Sequence, residues 1–278
     1  PGLGWSDGDA LALYGWYTMM VYVMSVPGGY IADKFLGQKK SVLIGGVLLL
    51  IGHSTLAIEQ MWAFYTGLVF IVLGVGMLKP NISTMVGGLY KQGDIRRDKG
   101  FTIFYIGINV GAFISSLVVG YVGEVYGWHY GFGAAGIGMS FGVYQYIKFR
   151  HLLGSAGAEP NDMPDKKRAS YIKWTKLSLV GMFLVIGMGL LGLIRFDPRA
   201  FAENFAYFLT TVAGLYFLYL FLFAGLNSDE RKNLLLLFIL FIGAAAFWSG
   251  FDQSASSLSI FARDYTDLTV GNFALPIG

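Results

Sequence analysis

The chain has 278 residues, of which 55% are hydrophobic, 17% aromatic and only 13% charged, with a mean hydropathy of +0.58 and a formal net charge of +3. Soluble domains carry roughly 25% charged residues, so this composition excludes a soluble enzyme, a disordered chain and a disulfide scaffold. Cysteine is absent, and His53, His129 and His151 do not have metal-ligand spacing, which excludes thiol catalysis and leaves no metal or cofactor to expect.

Eight apolar spans follow in chain order, at about 9–32, 40–58, 61–89, 100–123, 130–150, 170–194, 202–225 and 232–261. Each is near or above the roughly 20 residues that a helix needs to cross a bilayer. The runs are continuous rather than alternating, which predicts helices and not barrel strands. The fold class is therefore an all-α polytopic membrane protein. Connections alternate in charge. Lys34, Lys39 and Lys40 mark one side, with Lys91 to Lys99, Lys148 to Arg168, and Arg231 with Lys232. The opposite set is nearly free of Lys and Arg, except for Arg195, Arg199 and Arg263. Basic loops lie in the cytoplasm, so the chain belongs in the cell (inner or plasma) membrane with both ends outside. The positive charge reports topology, and no nucleic acid partner is expected.

Four segments are expected: a helical bundle at 1–150, a flexible cytoplasmic linker at 151–169, a transmembrane hairpin at 170–225, and a further helix with an external loop at 226–278. Chain ends in external loops, without an initiating Met, suggest a piece of a larger protein. Frequent glycines inside spans, such as Gly74 and Gly76 or Gly107 and Gly111, permit close helix packing.

A charge at bilayer depth costs about 2.5–3.5 kcal/mol on insertion scales, so two residues need a reason. Lys79 lies late in the third span, before Pro80. It either snorkels to the cytoplasmic surface or faces a polar cavity, and the residues that continue the span favour the cavity. Asp252 is internal to the last span, and helical spacing places Trp248, Asp252, Ser256 and Ser259 on one face. It serves either a helix–helix hydrogen bond or proton binding, since desolvation raises a carboxyl pKa and a nearby cation lowers it. Tyr105 and Asn109, four apart on the fourth span, bind a polar ligand or hold two helices together. Tyr14 and Tyr22 are weaker signals among many aromatics. His53 is expected to be packed and hydrogen-bonded, Glu59 and Glu124 solvated, and Asp94 to Asp98 a salt-bridged turn.

The segment Gly28-Gly29-Tyr30-Ile31-Ala32-Asp33-Lys34-Phe35-Leu36-Gly37-Gln38-Lys39-Lys40 resembles the loop motif of the major facilitator superfamily, between its second and third helices. In that motif the aspartate meets a helix end and basic groups. Phe101-Thr-Ile-Phe-Tyr105-Ile-Gly-Ile-Asn109-Val-Gly-Ala-Phe113 resembles the fifth-helix signature of proton-coupled oligopeptide transporters. Gly76-Met-Leu-Lys79-Pro80-Asn81, Asp94-Ile-Arg-Arg-Asp98 and Phe247-Trp248-Ser-Gly-Phe-Asp252-Gln253 are similar to that family's fourth helix, following loop and seventh helix.

The resemblance implies a partial facilitator fold: family helices two to six, an inserted two-helix hairpin, and helix seven. It implies that the first helix and the C-terminal half belong to the same protein outside this sequence. It implies proton-coupled symport of di- and tripeptides in a bilayer, with protons as coupling ion and no other cofactor. Lys79 matches the lysine that helps bind the peptide carboxylate and takes part in coupling. Asn109 matches the asparagine for the amino end, Tyr22 and Tyr105 line the pocket, and Trp248 walls it with Ser256 nearby. Asp252 matches an acidic position implicated in protonation, more often Glu. Gly28, Gly29, Asp33, Lys34 and Gly37 carry the conformational motif. A facilitator of nitrate or another small metabolite is the alternative. A scaffold has no use for intramembrane Lys79 and Asp252, and a membrane enzyme lacks a catalytic cluster.

Overall fold

Proline and glycine decide where these helices bend and how closely they pack. In the computed structural model, which describes residues 4–91, 93–158, 160, 165–190, 198–267, 269–270 and 273–274, the first predicted span is two helices. Helix α1 (Asp7–Val23) stops at a turn at Met24 and α2 (Ser25–Ile31) follows. Pro27 has no N–H for the Val23 carbonyl and its ring crowds that carbonyl, while Ser25 Oγ donates back to Val21 O at 3.3 Å. Both loosen the helix at the observed break. The continuous helix expected at 9–32 is corrected accordingly.

A π-turn (Ala32–Leu36) carries the Asp33–Lys34 motif and ends at Gly37, whose φ of 74° suits glycine. Then come α3 (Gln38–Leu56), α4 (Met61–Gly88), α5 (Arg96–Ser115), a π-turn (Ser116–Gly120), α6 (Tyr121–Tyr126) and α7 (Trp128–Phe149). After a 3-10 turn (Arg150–Leu153) lie α8 (Asp165–Leu190), α9 (Pro198–Phe223), α10 (Ser228–Phe251), a second 3-10 turn (Asp252–Ala255) and α11 (Ser257–Tyr265). A two-residue hairpin, β1 (Thr269–Val270) with β2 (Phe273–Ala274), occupies the loop after α11. Residues 191–194, the end of the sixth predicted span, lie outside the described residues.

Among the described residues, five stretches are long and apolar enough to cross a membrane: Gln38–Leu56, Met61–Gly88, Arg96–Tyr126, Glu203–Phe223 and Ser228–Tyr265. The chain forms two compact units, residues 17–193 and residues 1–16 with 194–277.

In the first unit α3 and α4 form a tight antiparallel pair. A Cβ on Gly45 would stand 2.7 Å from Gly74 O, and one on Gly52 3.0 Å from Gly67 O. Seven residues along α3 thus match seven residues back along α4, which repeats the contact on the same helix faces. Lipid is as apolar as a helix surface, so this close packing, and not hydrophobic transfer, holds the pair together. Leu49, Leu56 and Ile71 fill the core between these contacts, and Phe132 and Met139 of α7 close it. Tyr171 of α8 packs edge-on against Tyr30 and Phe35, with ring centroids 5.8 and 6.5 Å away.

The linker expected to be flexible is tied down over part of its length. Gly157 O accepts from Lys39 N at 2.9 Å, and the Lys39 ammonium donates to Gly154 O. A Cβ on Gly37 would meet Ala158 O at 2.7 Å. Tyr146 OH donates to Lys39 O at 3.0 Å, so α7 joins the same junction.

In the second unit α10 opens with a capping box. Asn227 Oδ1 accepts from Asp229 N and Glu230 N at 3.0 and 2.9 Å, and Glu230 Oε2 accepts from Asn227 N at 2.9 Å. Phe217 of α9 lies 5.0 Å from Phe238 and 5.4 Å from Phe241 of α10, centroid to centroid.

Candidate functional site

Lys79 sits on the exposed side of α4, with Nζ 4.4 Å from the centre of the Tyr22 ring. A cation over a phenol face gains about 0.5–1 kcal/mol in water and about 2 kcal/mol when desolvated. No carboxylate among the described residues pairs with Lys79, so the ammonium keeps its charge available for an anion. The structure thus brings Lys79 and Tyr22, two separate signals in the sequence, into contact.

The reason for this placement lies one turn away. Pro80 deprives Gly76 O of its helical donor, yet α4 continues unbroken to Gly88. A Cβ on Gly28 would stand 2.0 Å from that carbonyl, so only glycine lets α2 approach it. Asn81, 2% exposed, donates from Nδ2 to Met77 O at 2.7 Å and to Gly28 O at 3.4 Å. The sequence reading passed over Asn81 as a site residue. Its signal was available, since an amide buried in an apolar run requires partners.

Tyr105 and Asn109 share a face of α5 and are exposed. Asn109 Nδ2 donates to Tyr105 O at 2.8 Å. One N–H of the amide is thereby engaged within the helix, which leaves the second N–H and the Oδ1 acceptor.

Trp248, Asp252 and Ser256 belong to the second unit, and here the structure corrects the expectation of one helix face. α10 ends at Phe251, Asp252 opens the 3-10 turn, and Ser256 leaves the helical region with φ −133° and ψ −101°. Ser256 Oγ donates to Asp252 O at 3.2 Å and Ser259 Oγ to Ser254 O at 2.7 Å. These hydroxyls repair carbonyls that the break releases. A broken helix at membrane depth is tolerated where it lines a polar cavity or is buried in protein. Trp248 is wedged against Phe251 at 5.2 Å in a T-shaped contact.

Of the loop motif, Gly28 and Gly37 have the steric roles given above, a Cβ on Gly29 would meet Pro80 Cβ at an ordinary 3.9 Å, and Lys34 lies within the π-turn. Asp33 is exposed and has no hydrogen bond or ion pair among the described residues. His53 departs from expectation: its Nδ1 is buried between α3 and α7 without a partner among the described residues. Glu59 is exposed as expected, and His129 Nδ1 lies 2.6 Å from its carboxylate. The salt-bridged turn at 94–98 is present as Arg96 to Asp94 at 2.8 Å, and this hydrogen-bonded guanidinium holds the Asp94 carboxyl below the usual range.

Arg263, missed as a site residue, ties the end of α11 to the start of α1. It donates to Asp7 at 2.9 and 3.3 Å and to Asp264 at 2.7 and 3.1 Å. The Arg263 guanidinium keeps the Asp7 carboxyl below its ordinary pKa.

A family model described as "PTR2: POT family" matches residues 39–277. The chain belongs to the POT family. It is 38% identical to the peptide transporter YePEPT of Yersinia enterocolitica over 99% of this chain and 56% of that protein. It is likewise 38% identical to a di-/tripeptide transporter of Lactococcus lactis over 96% of this chain and 54% of that protein. The crystal structure of a peptide transporter POT in complex with sulfate superimposes with TM-score 0.87 at 35% identity, covering 99% of this chain and 56% of that one. A POT family transporter in complex with 5-aminolevulinic acid superimposes with TM-score 0.86 at 29% identity, covering 99% and 57%. The family is one of peptide transporters, not enzymes. The chain spans about half the length of these relatives.

Proposed function

We propose that the protein containing this chain is a proton-driven symporter of di- and tripeptides that works by alternating access. The observation that carries the proposal is Lys79, an ammonium with no carboxylate partner among the described residues, held over Tyr22 on a proline-containing membrane helix of a POT family member. Its charge suits the peptide carboxylate. Asn109 supports the opposite role. Its Oδ1 is an acceptor, which suits a protonated amino terminus, while Nδ2 donates to Tyr105 O. Tyr105 and Tyr22 offer phenols beside these two groups, and Trp248 and Ser256 contribute from the last span.

Asp252 is the coupling acid in this account. Its position at a helix break supports that role: protonation removes a charge where the backbone already changes conformation. A proton or ligand biases a two-state equilibrium only through its different affinity for the two states, and a charge at a hinge supplies such a difference. The eight spans correspond to family helices two to six, the inserted hairpin and helix seven, in a cell (inner or plasma) membrane with basic loops in the cytoplasm. The first helix and C-terminal half of the same protein complete the carrier. One observation favours a second reading: a structural relative holds 5-aminolevulinic acid. The same two end groups then grip a short amino acid with a free amine and carboxylate.

The test is uptake of labelled di-alanine by the full-length protein in proteoliposomes. Uptake competed by unlabelled dipeptides and abolished by Lys79→Ala is expected. Undiminished uptake by Lys79→Ala removes that residue from the mechanism, and competition by 5-aminolevulinic acid but not dipeptides selects the second reading.

A further inference from the structure

We infer that Asn81 is a positioning residue for Lys79: by bridging α4 to the Gly28 carbonyl of α2, it holds the lysine over Tyr22. The inference rests on the role proposed for Lys79.

Three observations converge. Asn81 is buried, and the one nitrogen serves two acceptors, Met77 O on its own helix and Gly28 O on the next. Two carbonyl acceptors require the NH2 end of the amide there. The second observation is that Gly28 seats on Gly76, while a Cβ on Gly76 would meet Met24 O at 2.6 Å. The turn between α1 and α2 therefore rests on this point of α4. The third is helical spacing. Gly76, Lys79 and Pro80 lie within one turn on one face of α4, and Tyr22 precedes Met24 by two residues. The Asn81–Gly28 bond thus closes a small frame of which the Lys79–Tyr22 contact is the opposite edge.

Each part of the frame needs the others. Pro80 loosens α4 next to Lys79 by removing a backbone bond. A helix freed there swings unless a neighbour holds it, and Asn81 is the side chain that spans to that neighbour. Serine at this position reaches back to its own helix carbonyl but is too short for Gly28. Asn81→Ser therefore separates the interhelical bond from the intrahelical one.

The test uses the full-length protein with its lysines converted to 13C-dimethyl-lysine. The Lys79 resonance, assigned by its loss in Lys79→Arg, is expected to be shifted by the Tyr22 ring current and to lose that shift in Tyr22→Leu. Asn81→Ser is expected to lose it too, and to raise KM for di-alanine about tenfold with Vmax within about twofold. In a Tyr22→Leu background, Asn81→Ser should add nothing, because both act on one contact. An unchanged Lys79 resonance in Asn81→Ser, or KM effects that multiply in the double variant, overturns the inference. Asn81→Ala is judged by the same criteria, and failure of both variants to fold makes the residue structural and overturns it as well. The resonance does not depend on transport. If the wild type fails to take up dipeptides, the function falls while the positioning role stands or falls on the spectrum.

Discussion

Gly28→Ala places one methyl group where the structure has no room. The new Cβ would stand 2.0 Å from Gly76 O and 2.4 Å from Gly76 C, both backbone atoms of α4. Relief to 3.4 Å requires a retreat of about 1.4 Å, which no side-chain rotation supplies. Overpacking of this kind costs about 1–3 kcal/mol, and the backbone nature of the obstacle puts Gly28→Ala at the upper end. The retreat also strips the Asn81–Gly28 bond, worth about 1 kcal/mol. A loss of about 4 kcal/mol corresponds to roughly 8–16 °C in Tm for a domain of about 150–250 residues, and to less in the longer full-length protein. Gly142→Ala on α7 is the control, since nothing lies within 4 Å of its added Cβ, and alanine gains helix propensity there. The assay is thermal unfolding of the purified full-length protein, with both variants in the same detergent. Equal Tm values for Gly28→Ala and wild type, or equal losses in both variants, would refute the close-contact argument.

Asp252→Asn removes the proposed proton site, so exchange of labelled for unlabelled dipeptide should persist while accumulation driven by a pH gradient falls about tenfold or more; accumulation at the wild-type level would dismiss Asp252 as the coupling acid. The Asp7–Arg263 tie predicts a pH window. Because the folded-state Asp7 pKa lies below its ordinary value, the pair stabilises the protein above about pH 4 and its contribution disappears as pH falls through the lower folded-state value. The Tm difference between wild type and Arg263→Gln should therefore be constant from about pH 7 to 5 and vanish in strong acid. A difference that survives undiminished there contradicts the pair. Gly157→Val strains a residue with φ 65° and drives a side chain into Gln38, 2.9 Å from the added Cβ. The linker should detach, and trypsin should cut it at Lys166–Arg168 about tenfold faster; an unchanged cutting rate argues that the docking does not hold the linker.

Hydropathy was sufficient to expect helices at nearly every place they occur, because a backbone in lipid has few alternatives. The breaks were harder. Pro27 was visible in the sequence, but an apolar run on both sides masked the interruption at Met24. The break at Asp252–Ser256 has no proline at all. There the serine hydroxyls compete with the helix for carbonyls, an effect of local hydrogen bonding that residue spacing does not report. Lys79 and Tyr22 were legible as separate signals, and their contact accompanies the close seating of Met24 and Gly28 on Gly76. Asn81 was the residue most exposed to oversight, because its function depends on a carbonyl 53 positions away in the chain. The docking of Gly157 on Lys39 was hidden for the same reason, since a glycine-rich stretch reads as loose until its partner is known.

Direct proof of coupling lies in the proton itself. Full-length protein in liposomes loaded with a pH-sensitive dye, with no imposed gradient and an inside-negative potential, should acidify the lumen when di-alanine is added outside, and Lys79→Ala should abolish the signal. Dipeptide entry without acidification would contradict proton-coupled symport.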